Sequence, residues 1–182
     1  ALLFLGAGSI IHAVHSNEMS AMGGLRKYMP VTHITFLVAC LAISGIWPLS
    51  GFFSKDEILT ACFAYSPAMG WIMTAIAGLT AFYMFRLYYG IFWGRENRQL
   101  HAEHTPHEAP VTMTLPLVVL AVVTLGAGFI PFGHFVSSNG TAYDIHIDTT
   151  VATISLCVAA AGILIASWMY ARERQDVAES LA

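Results

Sequence analysis

The most constraining feature is the apolar stretch 31–65, too long for one membrane crossing and too short for two. A helix needs about 20 apolar residues to span the hydrocarbon layer. Within the stretch, VTHITFLVACLAISGIW runs into Pro48, Leu49, Ser50 and Gly51, and then FFSKDEILTACFAYS follows. Pro48 removes a helical donor and clashes with the preceding turn, and Gly51 permits dihedrals closed to other residues. Ser54 is then expected to cap a second helical piece, with Asp56 and Glu57 in its first turn, where the macrodipole favours acids. This reading gives two half-helices in line, broken near 47–54. Irregular backbone at membrane depth must be buried in protein or line a wet cavity, so the break is expected to face inward.

Composition agrees with a lipid solvent. Apolar residues make up 57% of the 182 residues, charged ones 10%, and mean hydropathy is +0.66. A watery surface needs about 25% charged residues. The net charge of −3 gives no case for a nucleic-acid partner. Cys40, Cys62 and Cys157 are odd in number and lie in apolar runs without ligand spacing, so they read as small core or lipid-facing residues.

Four further stretches complete an all-α membrane protein of about five transmembrane helices: 1–15, 69–93, 111–132 and 149–170. Arg26 and Lys27 follow the first crossing, Arg95 and Arg98 the third, and Arg172 and Arg174 the fifth, while the other two loops carry no Lys or Arg. The positive-inside rule places the basic loops in the cytoplasm. The crossings alternate correctly only if 31–65 counts once. Trp71, Trp93 and Trp168 fall near helix ends, as interfacial aromatics do. The first stretch has no basic n-region and no cleavage site, and is expected to be the end of a helix begun earlier, in an internal fragment.

Lys55 is the foremost candidate for chemistry. A lysine at this depth costs several kcal/mol, so it persists where it is paired or useful. An ammonium that burial makes nearly as costly as its free amine can take up and release protons near neutral pH. Asp56 and Glu57 supply counter-charges, and helix breaks of this kind build ion sites in transporters. Snorkelling to an interface or a static ion pair is the alternative.

His12 and His15 close the first crossing at its cytoplasmic end, where a titrating ring could pass protons inward or simply cap the interface. His33 opens the next crossing and reads chiefly as a headgroup residue. Arg86, inside the third crossing, reads as an anchor through its long stem. His101, His104 and His107 recur every third residue, but Pro106 spoils a helical face and no cysteine joins them, so a solvated loop is expected rather than a zinc site. Asp144, His146 and Asp148 read the same way. No phosphate loop, hydrolytic triad, haem or iron–sulfur ligand set is visible.

ALLFLGAGSIIHAVHSNEMSAMGGLRKYMP, PLSGFFSKDEIL and TAFYMFRLYYGIFWG strongly resemble the antiporter-like L-subunit family of proton-pumping NADH:quinone oxidoreductase, respiratory complex I. The match is motif-rich over about the first half and rests on hydropathy and loop pattern thereafter. The resemblance implies a fold of two inverted repeats, each with a broken helix; 1–172 would be a partial antiporter-like membrane domain, the latter part of the second repeat plus one or two following helices. It implies that Lys55 is the family's gating lysine, Asp56 its acidic neighbour, and His12 a common position near the cytoplasmic mouth. It implies proton translocation coupled to electron transfer elsewhere. The chain itself would hold no cofactor; NADH, FMN, iron–sulfur clusters and quinone would sit in other subunits. The partners implied are the other membrane-arm subunits, including a neighbouring antiporter-like one, and the lipid bilayer; the place implied is the cell inner (cytoplasmic) membrane. Residues 173–182 would be a cytoplasmic-side tail leading toward a lateral helix. Two other readings remain open at this point: the large subunit of a multisubunit cation/proton antiporter, and a non-conducting structural membrane-arm element.

Overall fold

The computed structural model describes residues 1–95, 105–130 and 148–170; among them there is helix and turn but no strand. The helices are α1 (Leu2–Val14), α2 (Pro30–Ser44), α3 (Ser50–Tyr65), α4 (Pro67–Phe92), α5 (Val111–Gly126) and α6 (Thr149–Tyr170). A 3-10 turn over Ala127–Phe129 prolongs α5. α4, α5 with its turn, and α6 are each long and apolar enough to cross a membrane; α1 and α2 are shorter apolar helices. The expected tail 173–182, Arg98, Arg172 and Arg174 lie outside the described residues.

Residues 31–65 form two helices, as the Pro48 signal requires, but the joint lies at 45–49, earlier than expected. α2 ends because Gly45 turns left-handed (φ 80°), with the Ile46 N–H bonded to the Leu41 carbonyl and the Gly45 N–H to the Ala42 carbonyl. That paired closure is the Schellman motif, and proline commonly follows it. The Trp47–Pro48 bond is cis. α3 starts at Ser50 without a side-chain cap. Ser54 is therefore not a cap: it lies one turn inside α3, its hydroxyl donating to the Gly51 carbonyl at 3.4 Å. Asp56 and Glu57 likewise lie beyond the first turn. Gly51 is helical, and its role is close approach, since a Cβ there would fall inside the Ala42 carbonyl oxygen of α2.

α4, with 26 residues and a length of about 39 Å, is the column against which α2, α3 and α6 pack. Lipid gives apolar side chains no reason to associate, so helices meet where small residues let backbones approach. Ser155, Ala159, Gly162 and Ala166 form a buried stripe on α6, and Gly162 within it meets Gly78 and Ala81 of α4. A Cβ on Gly162 would sit 2.6 Å from the Gly78 carbonyl oxygen and 3.3 Å from the Phe82 nitrogen. Gly162→Leu is therefore expected to cost about 1–3 kcal/mol of overpacking, read as a lower melting temperature of the purified protein in detergent. Meanwhile Trp71, Ile72, Ile76 and Leu79 of α4, and Val118, Val119, Val122 and Val123 of α5, stand exposed, as a lipid-facing surface should.

Both ends of the charge pattern are visible. Arg26, in the connection between α1 and α2, lays its guanidinium 3.8 Å over the Trp93 ring just past α4, so these basic connections share one side. On that side α2 is pinned by Glu108: its carboxylate accepts from the Val31 N–H at 2.8 Å and the Thr32 hydroxyl at 2.6 Å. An anion at a helix N-terminus meets both the orphan donors and the positive end of the dipole.

Candidate functional site: an enclosed lysine at a helix break

The site is assembled from the C-terminus of α2 and the second turn of α3. The side chain of Lys55 folds back over the break: Gly45 leaves a gap into which a Cβ would project to 3.0 Å from Lys55 Cδ and 3.9 Å from Cε. A Schellman-closed helix end carries the negative pole of the macrodipole, about half an elementary charge. The lysine stem thus lies beside the end that attracts a cation. Lys55 stands about 15 Å along α3 from Tyr65, half the thickness of a typical hydrocarbon core.

The amine is enclosed. Lys55 Nζ and both Asp56 carboxylate oxygens are out of solvent contact and have no hydrogen-bond partner among the described residues. Asp56 is 1% exposed, so its carboxyl group is interior rather than interfacial. Lys55 is not snorkelling, and it is not locked in an ion pair with its neighbour. Consecutive helix residues project about 100° apart, so adjacent opposite charges do not face each other.

Protein covers one side of the break. The Ala127–Phe129 turn presses on it so closely that a Cβ on Gly128 would lie 2.5 Å from the Pro48 carbonyl oxygen and 3.1 Å from Phe53 and from the Ser50 nitrogen. Leu49 is buried, whereas Trp47 projects outward, 61% exposed. The break is thus turned toward protein at Gly45 and Leu49 and away from it at Trp47.

The other candidates are distributed differently. His12 is exposed on the last turn of α1 with its ring 6.0 Å from that of His15, and the two do not join Lys55 and Asp56. His33 is more than a headgroup residue: its Nε2 lies 2.6 Å from the Tyr88 hydroxyl, and its ring stacks on Tyr88 and tilts against Phe92. Arg86 is exposed, with its guanidinium 5.7 Å from the Tyr170 ring, an anchoring contact. Asp148 is exposed, in keeping with a solvated residue, and its carboxylate accepts the Thr150 N–H at 2.9 Å at the start of α6. His107 is exposed; His101, His104, Asp144 and His146 lie outside the described residues. Cys40 is buried, Cys157 exposed, and all three thiols are free. Sequence reasoning missed Gly45 and Glu108. The Gly45-x-x-Pro48 spacing could have revealed the first, because a left-handed glycine followed by proline marks a helix end; nothing local marks Glu108.

The chain is similar to known proteins over most of its length. Residues 1–81 match the family model described as NADH:quinone oxidoreductase/Mrp antiporter, transmembrane. The chain is 41% identical to NAD(P)H-quinone oxidoreductase chain 5 of Picosynechococcus sp., over 98% of this chain and 33% of that protein. It is 45% identical to the chloroplastic subunit 5 of Chaetosphaeridium globosum, over 71% of this chain and 21% of that protein. Chain 5 of Synechocystis sp. is 35% identical over 97% of this chain and 34% of its own length. The chain thus spans about a third of the length of the curated relatives that it matches end to end. The broken helix, the enclosed lysine and its acidic neighbour all lie within residues 1–81, the segment that is similar to the NADH:quinone oxidoreductase/Mrp antiporter transmembrane family.

Proposed function

We propose that this chain is part of a proton-translocating membrane subunit of an NAD(P)H:quinone oxidoreductase, the counterpart of the L subunit of respiratory complex I. The observation that carries the proposal is the enclosed, unpaired Lys55 amine, whose stem lies against the C-terminal end of a half-helix, with buried Asp56 next to it in sequence. A group in that position can hold a proton away from both bulk phases and give it up when a nearby charge moves. Lys55 takes the proton from the inner side, Asp56 tunes and receives it toward the outer side, and His12 serves the cytoplasmic mouth.

The names of the relatives support the redox half of the proposal, since each is a quinone oxidoreductase subunit. The work then comes from electrons passing from NAD(P)H to quinone through FMN and iron–sulfur clusters in other subunits. The partners are those membrane-arm subunits, a neighbouring antiporter-like one among them. The membrane we assign is the cytoplasmic (inner) membrane, with the Arg26 and Arg95 side facing the cytoplasm.

Because the family model also names Mrp antiporters, a second reading is cation/proton exchange without redox drive. Inverted membrane vesicles with and without the complete protein separate the two. The proposal expects NAD(P)H oxidation to acidify the vesicle interior and deletion to diminish that acidification. Deletion that leaves NAD(P)H-driven acidification untouched but removes proton movement driven by a sodium gradient would overturn it in favour of the antiporter.

A further inference from the structure

Helical serine and threonine have a default partner, the carbonyl one turn back. In the described helices Thr35, Thr74, Thr80, Thr124, Thr153 and Ser167 all donate to the carbonyl four residues earlier, at 2.6–3.0 Å. Three buried hydroxyls do not: the oxygens of Ser9, Ser44 and Thr60 are enclosed and without a hydrogen-bond partner. Buried polar atoms are overwhelmingly satisfied in folded proteins, so each exception needs a reason.

Two of the three bracket the lysine site. Ser44 is the last residue of α2 and directly precedes Gly45, over which the Lys55 stem lies. Thr60 follows Asp56 by one turn of α3, about 6 Å nearer the Tyr65 end. Residues four apart share a helix face, so Asp56 and Thr60 point the same way. Along the backbone, the residues around the break that carry buried, unpartnered polar atoms run Ser44, Lys55, Asp56, Thr60.

We propose that Ser44 and Thr60 are relay hydroxyls that extend the proton path on either side of Lys55 and Asp56, Ser44 inward and Thr60 outward. A hydroxyl suits the task because it accepts and donates at once. In each transfer the oxygen takes the arriving proton on a lone pair and releases its own proton to the next acceptor, the free Lys55 amine in the case of Ser44 and water in the case of Thr60, so no net bond is made and no oxidant is consumed. Bonding to the helix carbonyl would occupy the hydroxyl proton; leaving the hydroxyl unbonded keeps it free to turn.

This rests on the pumping role proposed for Lys55, and the test separates the two. In the complete complex, proton translocation and NAD(P)H oxidation are measured in inverted vesicles for Thr60→Val, Thr60→Ser and Lys55→Ala. Valine keeps the shape and loses the hydroxyl; serine keeps the hydroxyl. Expected are about fivefold slower proton transfer for Thr60→Val, the loss of one hydrogen bond on the path, and near-normal transfer for Thr60→Ser. Normal transfer in Thr60→Val with Lys55→Ala inactive would overturn the relay alone. Equal slowing in Thr60→Val and Thr60→Ser would also overturn it, since shape rather than the hydroxyl would then matter. Undiminished pumping in Lys55→Ala would overturn the role of the lysine and the relay with it.

Discussion

Lys55→Ala, made in the complete protein, is expected to slow proton movement through this subunit by about 10²–10⁴-fold, the usual contribution of a positioned proton-transfer group. Assembly should survive. The substitution removes an amine that is buried without a partner, a burden of about 1–3 kcal/mol, and this offsets the packing lost where the stem crosses Gly45. The fold at the break does not depend on the amine: Gly45 and Pro48 close α2 through backbone geometry, and the Ala127–Phe129 turn holds the joint from the other side. The measurement is vesicle acidification per electron delivered, alongside the amount of assembled complex on a native gel. Assembled protein with normal proton movement would leave Lys55 a structural residue.

Gly51→Val is expected to fail in the opposite sense, by removing the protein rather than its transport. At Gly51 the α2 and α3 backbones meet so closely that a Cβ would lie far inside contact distance of the Ala42 carbonyl oxygen, and backbone cannot yield as a flexible side chain can. The two half-helices must separate, and overpacking of this kind costs about 1–3 kcal/mol or more, a large part of a marginal stability. The expected result is little or no assembled subunit in the membrane. Gly8→Val is the matched control, because a Cβ on Gly8 meets nothing within 4 Å. Gly8→Val should accumulate normally, and equal loss of both variants would show that the cause is valine in a membrane helix, not the contact with Ala42. Gly45→Ala should fall between: its left-handed φ of 80° costs a non-glycine residue about 1–2 kcal/mol, and the new methyl displaces Lys55.

Much of the architecture could be read from hydropathy, because lipid enforces a simple rule on each helix separately. The stretches at 69–93 and 149–170 end within two residues or so of α4 and α6, and Arg26 and Arg95 share a side as loop charge demanded. The break was legible as a break because Pro48 cannot sit within a helix, but its position was not. Ser54, Asp56 and Glu57 carry a convincing N-terminal pattern that the chain does not use, because Gly51 is needed inside α3 for its approach to α2 and the helix must therefore begin before it. Lys55 and Asp56 could be singled out by the cost of charge in lipid. What packs at the break could not, since Gly45 and the Ala127–Phe129 turn look like ordinary membrane-helix residues until the fold sets the first against the Lys55 stem and the second against Pro48 and Phe53. Glu108 illustrates the same limit: in a polar histidine-rich loop it reads as solvated, and only the folded chain brings it to the first turn of α2.

In the proposed mechanism the charge on Lys55 is switched, not merely present. Lys55→Arg isolates that property, because a guanidinium keeps its charge and its proton throughout the accessible pH range. Protons translocated per electron in vesicles carrying Lys55→Arg should fall as low as in Lys55→Ala, with the complex assembled. Near-wild-type translocation with arginine in place would contradict the account, for a fixed positive charge would then be enough.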